Sequence, residues 1–176
     1  MKTLRNFDLK SEKSGYVVAV AIALLIASVM LAAYYVALRP TPEGYMTIYL
    51  LDSQRKAENY PERLTLGVNS TFSIYVDVEN HMVNAEGQGI AQDCTVKVKV
   101  VQGKNPTFPV PDADAVSVQP FNSTLAYGDT WEETVTVSLD QAGEFMVAFE
   151  LWVADDTTAE PEYSGNLAVL NVEVNV

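Results

Sequence analysis

The sequence has one cysteine, Cys94, and one histidine, His81, and beyond residue 38 no stretch in which apolar residues recur with helical spacing. A lone cysteine excludes an internal disulfide, so a domain of this chain outside a cell must stand on its core. With one histidine, any zinc site lacks imidazole partners, and any Ser–His–Asp or Cys–His catalytic arrangement would have to run through His81. A turn-capping role is the expectation for that residue. There is no glycine-rich phosphate loop and no HExxH motif. Basic residues are also scarce, 11 against 23 acidic ones.

The charge is divided along the chain. Residues 1–15 hold four basic and two acidic side chains, 4 − 2 = +2, while residues 45–176 hold 6 basic and 20 acidic ones, 6 − 20 = −14. A surface so acidic repels phosphate backbones and anionic lipid headgroups, which excludes nucleic acid as a partner.

What is present begins with an anchor. Tyr16–Leu38 (YVVAVAIALLIASVMLAAYYVAL) carries no charge and no proline. A bilayer core needs about 20 such residues in a helix. Tyr16 stands at one end and Tyr34 and Tyr35 near the other, where interfacial aromatics belong. Lys2, Arg5, Lys10 and Lys13 precede the run and Arg39 follows it, so the positive-inside rule places the N-terminus in the cytoplasm and the rest outside the plasma membrane. A cleaved secretory signal has a shorter apolar core and a small-x-small cleavage site, whereas this run ends in bulky residues. An uncleaved signal-anchor is therefore expected. The alternative is a filament subunit: Lys13-Ser14-Gly15 before the apolar run resembles the class III signal of archaeal pilins and archaellins, which implies cleavage after Gly15.

The remainder is patterned for strands. A linker at 39–44 contains Pro40 and Pro42, which end the helix. Then come Tyr45–Leu51, Thr71–Glu79, Cys94–Val101, Thr134–Leu139, Phe145–Val153 and Ala168–Val176, mostly with period-2 alternation. In Cys94–Val101, Lys97 and Lys99 alternate with inward Cys94, Val96, Val98 and Val100. Turn residues separate the runs, which predicts an all-β, immunoglobulin-like antiparallel β-sandwich of about seven strands over 45–176. Residues 102–121 hold four of the eight prolines and are expected to form an edge strand or a long connection.

Several side chains could carry chemistry. Asn69-Ser70-Thr71 and Asn122-Ser123-Thr124 are N-glycosylation sequons beside expected turns. Asp112 and Asp114 in one loop and Asp155 and Asp156 in another are oxygen ligands for Ca²⁺ if the loops meet, although neither has the spacing of a known calcium loop. Only a carboxylate pair could supply general acid and base, for example a glycosidase-like pair drawn from the same four acids, and in polar loops both members would be ionised. No cofactor is indicated, and Cys94 on an inward face reads as a buried, inert thiol.

The stretch Tyr49-Leu-Leu-Asp-Ser-Gln-Arg-Lys-Ala-Glu-Asn-Tyr-Pro61, with Leu64-Thr-Leu-Gly-Val-Asn69 after it, resembles the opening of the archaeal membrane-protein family called domain of unknown function 1616. Asn80-His81 is similar to the "NH" that closes its second strand, and Leu125–Glu133 with Ala142-Gly143 to its second half. Ser53-Gln54 departs from a usual glycine turn, and Met82–Gln92 looks like an insertion. The resemblance implies a surface β-sandwich and no activity. From the residues themselves, Tyr60 is expected to cap the core as in a tyrosine corner, Gly67 and Gly128 to take positive φ at strand entries, and Trp131 to precede a strand beneath a loop. The functional expectation is a non-enzymatic module held by Tyr16–Leu38, with an envelope protein or glycan as partner.

Overall fold

The computed structural model describes residues 12–37, 43–103, 105–155 and 160–176. Most of the expected N-terminal tail and of the linker, together with Asp156, lies outside the described residues. The chain divides into two units, 1–41 and 42–176. Helix α1 (Glu12–Ala37) contains residues 16–37 of the apolar run, and Gly15–Val36, with a mean hydropathy of 2.7, is long and apolar enough to span a membrane. The peptide bond after Gly15 lies inside this continuous helix.

The second unit is a sandwich of two sheets. β1 (Tyr45–Leu51), β3 (Thr71–His81) and β7 (Thr130–Ser138) form one, in the order β1-β3-β7. The other follows the order β2-β9-β8-β4-β5, made of β2 (Arg63–Thr65), β9 (Pro161–Asn175), β8 (Gly143–Ala154), β4 (Gln92–Gln102) and β5 (Val116–Ser117). β6 (Phe121–Leu125) also pairs with β4. Every ladder is antiparallel except one: β2 runs parallel to β9, Leu64 opposite Val174. At that edge β2, a three-residue strand too short to show alternation, is held by its neighbour.

Alternation builds the core. Ile74, Val76 and Val78 of β3, Val135 and Val137 of β7, Val96 and Val98 of β4, and Val147, Phe149 and Leu151 of β8 are all buried between the sheets. Tyr60, as expected, caps this core: its hydroxyl donates to the Leu50 carbonyl at 2.5 Å. Gly67 and Gly128 take φ of 73° and 81°, a region that costs other residues steric strain. Trp131 corrects its expectation, since it lies within β7 opposite Val78 and packs on the core. Its side of the strand, set by the register with β3, outweighs its nearness to the loop.

β8 is buried on both faces. Met146 and Ala148 point away from the sandwich yet are covered, with Val101, by Val110 from the proline-rich segment. That segment thus serves both expected roles and a third one: β5 and β6 lie along an edge, and residues 105–115 strap the outer face of the sheet.

Candidate functional site

Beneath the strap lies a buried polar cluster. Period-2 geometry puts Lys97 and Lys99 on the outer face of β4, and Glu150 and Trp152 on that of β8. Lys97 faces Glu150 in the register, but its ammonium sits over the Trp152 ring, 3.4 Å from the centroid. Lys99 reaches the carboxylate instead, Nζ to Oε2 at 3.3 Å, and both side chains are sealed, at 4% and 0% exposure. The strap supplies the remaining partners. Lys99 Nζ donates to the Val110 carbonyl and approaches Asp112 Oδ1 at 3.0 Å, while the Val110 N–H donates to Glu150 Oε1. Trp152 Nε1 donates to Glu150 Oε2 at 3.2 Å. Taking charges out of water is costly unless each is paired and bonded, and here each is. The bond from Lys99 holds the exposed Asp112 carboxyl below its ordinary pKa.

A bulge flanks the cluster. Between Glu150 and Trp152 the β8–β9 register shifts, so Ser164, Gly165 and Asn166 stand opposite Leu151. Ser164 Oγ donates to the Leu151 carbonyl at 2.7 Å, and the bend brings Tyr163 against Trp152, ring centroids 5.8 Å apart. Bulges commonly re-aim side chains beside sites.

The outer face of the three-stranded sheet is different in character. Tyr45 and Tyr49 are exposed, and Tyr75 carries the Arg55 guanidinium 4.8 Å above its ring. Arg55 also donates to both oxygens of Glu132, at 2.8 and 2.9 Å, which lowers the pKa of Glu132. Asp77 lies opposite both Tyr49 and Glu132, and burial, with Glu132 and Glu79 beside it, raises its pKa. His81 closes β3 and stacks on Tyr45 at 4.9 Å and edge-on to Tyr127 at 6.1 Å, with Glu79 3.3 Å from Nε2. It is a ring in an aromatic stack and not the expected turn cap.

The neighbour of His81 does the capping. Asn80 is fully buried; its Nδ2 donates to the carbonyls of Ile90 and Leu125, and its Oδ1 accepts the Met82 N–H. It ties the Met82–Ala91 connection to β6. Asp52 likewise organises its loop, with Oδ1 accepting the N–H groups of Gln54 and Lys56, and the Lys56 bond leads in lowering its pKa. The "KAENYP" and "NH" words are therefore scaffold, one closing on Asp52 and Tyr60, the other on Asn80.

Of the four expected calcium ligands, Asp112, Asp114 and Asp155 lie among the described residues. Asp112 and Asp114 sit on a 3₁₀ turn of the strap, Asp112 on Lys99. Asp155 follows β8, five residues beyond Glu150, roughly 16 Å along the strand. Asp156 lies outside the described residues. Among the described residues no three His, Cys, Asp or Glu side chains gather to hold a metal. Both sequon asparagines are exposed. Asn69 is in the turn after β2, its Oδ1 accepting the Thr65 N–H. Asn122 is within β6 rather than beside a turn, opposite Thr95 of β4, whose Oγ1 donates to its Oδ1 at 2.8 Å. Cys94 is buried, bonded through Sγ to the Ser123 carbonyl, and burial pushes its thiol up to about 11.

Sequence reasoning took Lys99 as simply outward and gave Glu150 no role. A signal was there. Glu144–Ala154 (EFMVAFELWVA) is a nearly continuous apolar run, the mark of a strand covered on both faces, and a charge within it needs a partner.

With this geometry in hand, the profile of the domain of unknown function 1616 matches residues 40–175, the whole sandwich. The chain belongs to that family. The family match extends beyond the "KAENYP" and "NH" words to the strap, the bulge and β9. No curated protein matches the sequence. Among solved structures, the CARDB domain of a Pyrococcus furiosus protein, in complex with di-metal ions, is similar at a TM-score of 0.44 and 16% identity, over 76% of this chain and 90% of that one. A β-glucosidase from Listeria innocua in complex with glucose reaches 0.46 and 14%, over 76% of this chain but 16% of that one.

Proposed function

We propose that this chain is a membrane-anchored module that holds its immunoglobulin-like sandwich on the outer side of the plasma membrane, where it binds or braces an envelope component without catalysing a reaction. The observation that carries this reading is Gly15–Val36, an apolar helix exposed along its whole length, ahead of a separately packed sandwich. The basic flank before the helix supports the outward orientation. The charged side chains support the non-catalytic role: Arg55 with Glu132 and Lys99 with Glu150 satisfy one another instead of lining a shared cavity. Tyr45 and Tyr49 offer a contact surface, since tyrosine is enriched at interfaces. An envelope protein or a glycan is the partner this surface suits.

Protease added to intact cells is expected to digest the sandwich and leave the N-terminal residues attached to the helix. Protection of the sandwich until lysis overturns the orientation. Purified sandwich is expected to be retained on isolated envelopes, less so as Tyr45→Ala/Tyr49→Ala; equal retention removes this face from the proposal.

A further inference from the structure

We propose that Lys99 and Asp112 condense to a side-chain amide, a cross-link between strap and sheet that the folded domain forms by itself, with Glu150 relaying the proton. Three features converge on this. The Lys99 ammonium is sealed, with 4% of its side chain exposed, and it touches the Val110 carbonyl, Asp112 Oδ1 at 3.0 Å and Glu150 Oε2 at 3.3 Å. Reacting groups held roughly 3–3.5 Å apart reach effective molarities on the order of 10⁵–10⁸ M, which is how an amide can form against bulk water. Glu150 is fully buried and fixed by the N–H groups of Val110 and Trp152, so its carboxylate cannot turn away from the amine.

Glu150 Oε2, 3.3 Å from the ammonium, is the buried acceptor within reach of its proton. The Lys99 ammonium passes one proton to Glu150, and the freed amine attacks Cγ of Asp112. A C–N bond forms. Glu150 then returns its proton to the departing oxygen, the nitrogen gives a second proton to that same oxygen, the C–O bond breaks and water leaves. Net, –NH₃⁺ and –COO⁻ become –CO–NH– and H₂O, with nothing oxidised or reduced. Asp112 is 84% exposed, so the water escapes directly to solvent. Its carboxylate rests ionised against the ammonium, so the condensation is a slow maturation step. The product would serve as a disulfide does, in a chain with one cysteine.

The test is mass spectrometry of the full chain purified in detergent, measured on the proteolytic peptides that carry residues 99 and 112. The expected product is one branched peptide, lighter than the two separate peptides by one water. Lys99→Arg and the surface change Asp112→Ala are expected to give unlinked peptides, and Glu150→Gln to slow or stop the linkage in a domain whose circular dichroism is unchanged. Asp112→Asn should give the same amide with loss of ammonia. Unlinked peptides from folded wild-type protein overturn the proposal. So does a link to Glu150, or water loss that survives Asp112→Ala.

Discussion

The hydroxyl of Tyr60 donates to the main-chain carbonyl of Leu50, ten residues upstream, at 2.5 Å. That bond fastens the loop after β1 onto the strand it leaves, while Asp52 organises the turn between them. Leu50 is buried, so its carbonyl has no easy replacement partner. Tyr60→Phe is expected to cost about 1–2 kcal/mol, measured by denaturant unfolding of the sandwich, with its spectrum otherwise unchanged.

Asn80 holds a second loop in the same way, with three side-chain bonds in a fully buried position. Asn80→Ala leaves two carbonyls and an N–H without their partner and is expected to cost about 3 kcal/mol. Gly89 marks the same junction, because a Cβ there would meet Cγ of Tyr127 at 2.2 Å. Gly89→Ala is expected to cost about 1–3 kcal/mol and to displace the Tyr127 ring, visible as altered aromatic proton shifts next to His81.

The long alternating strands were legible because one face of each meets the core: Ile74, Val76 and Val78 on β3, and Val147, Phe149 and Leu151 on β8. Period 2 separates the faces but does not say what covers the outer one. Lys99 illustrates this, outward by pattern and sealed in fact, because Val110 arrives from a segment with no periodicity. β2 escaped for a related reason, since its pairing partner lies at the far end of the chain. The calcium expectation rested on two loops meeting, and sequence holds no information on that until topology is known.

Lys99 and Glu150 predict an asymmetry between single and double substitutions. Glu150→Leu strands the Lys99 ammonium beneath the strap and is expected to cost about 3–5 kcal/mol. Lys99→Met added to it removes the stranded charge and is expected to recover part of that loss, although Val110 and Trp152 still lack their acceptor. Unfolding of the two variants in guanidinium, side by side, gives the comparison.

Acid should weaken the domain. Asp52 and Glu132 have lowered folded pKa values, through the Lys56 N–H and the Arg55 guanidinium respectively. Their contribution is present above the ordinary values, 3.8 for aspartate and 4.5 for glutamate, and is lost as pH falls through the lowered ones. Asp77 has the opposite sign: burial raises its pKa, so its ionised form is a cost at neutral pH that fades as pH falls through the raised value. Tm measured across pH is therefore expected to hold near neutrality and drop below about pH 4.5. Asp77→Asn is expected to raise Tm at neutral pH and to match the wild type in acid.

The position of β9 sets the order of assembly. The last strand of the domain to be synthesised lies inside its sheet, between β2 and β8. A chain emerging from the ribosome N-terminus first can pair β1 with β3 and β4 with β8 early, yet β2 has no ladder partner until residues 173–175 are available. Until then β8 keeps one open edge, an invitation to foreign strands. A ribosome stalled before Pro161 would hold a half-sheet in which β8 is paired along one edge and open along the other.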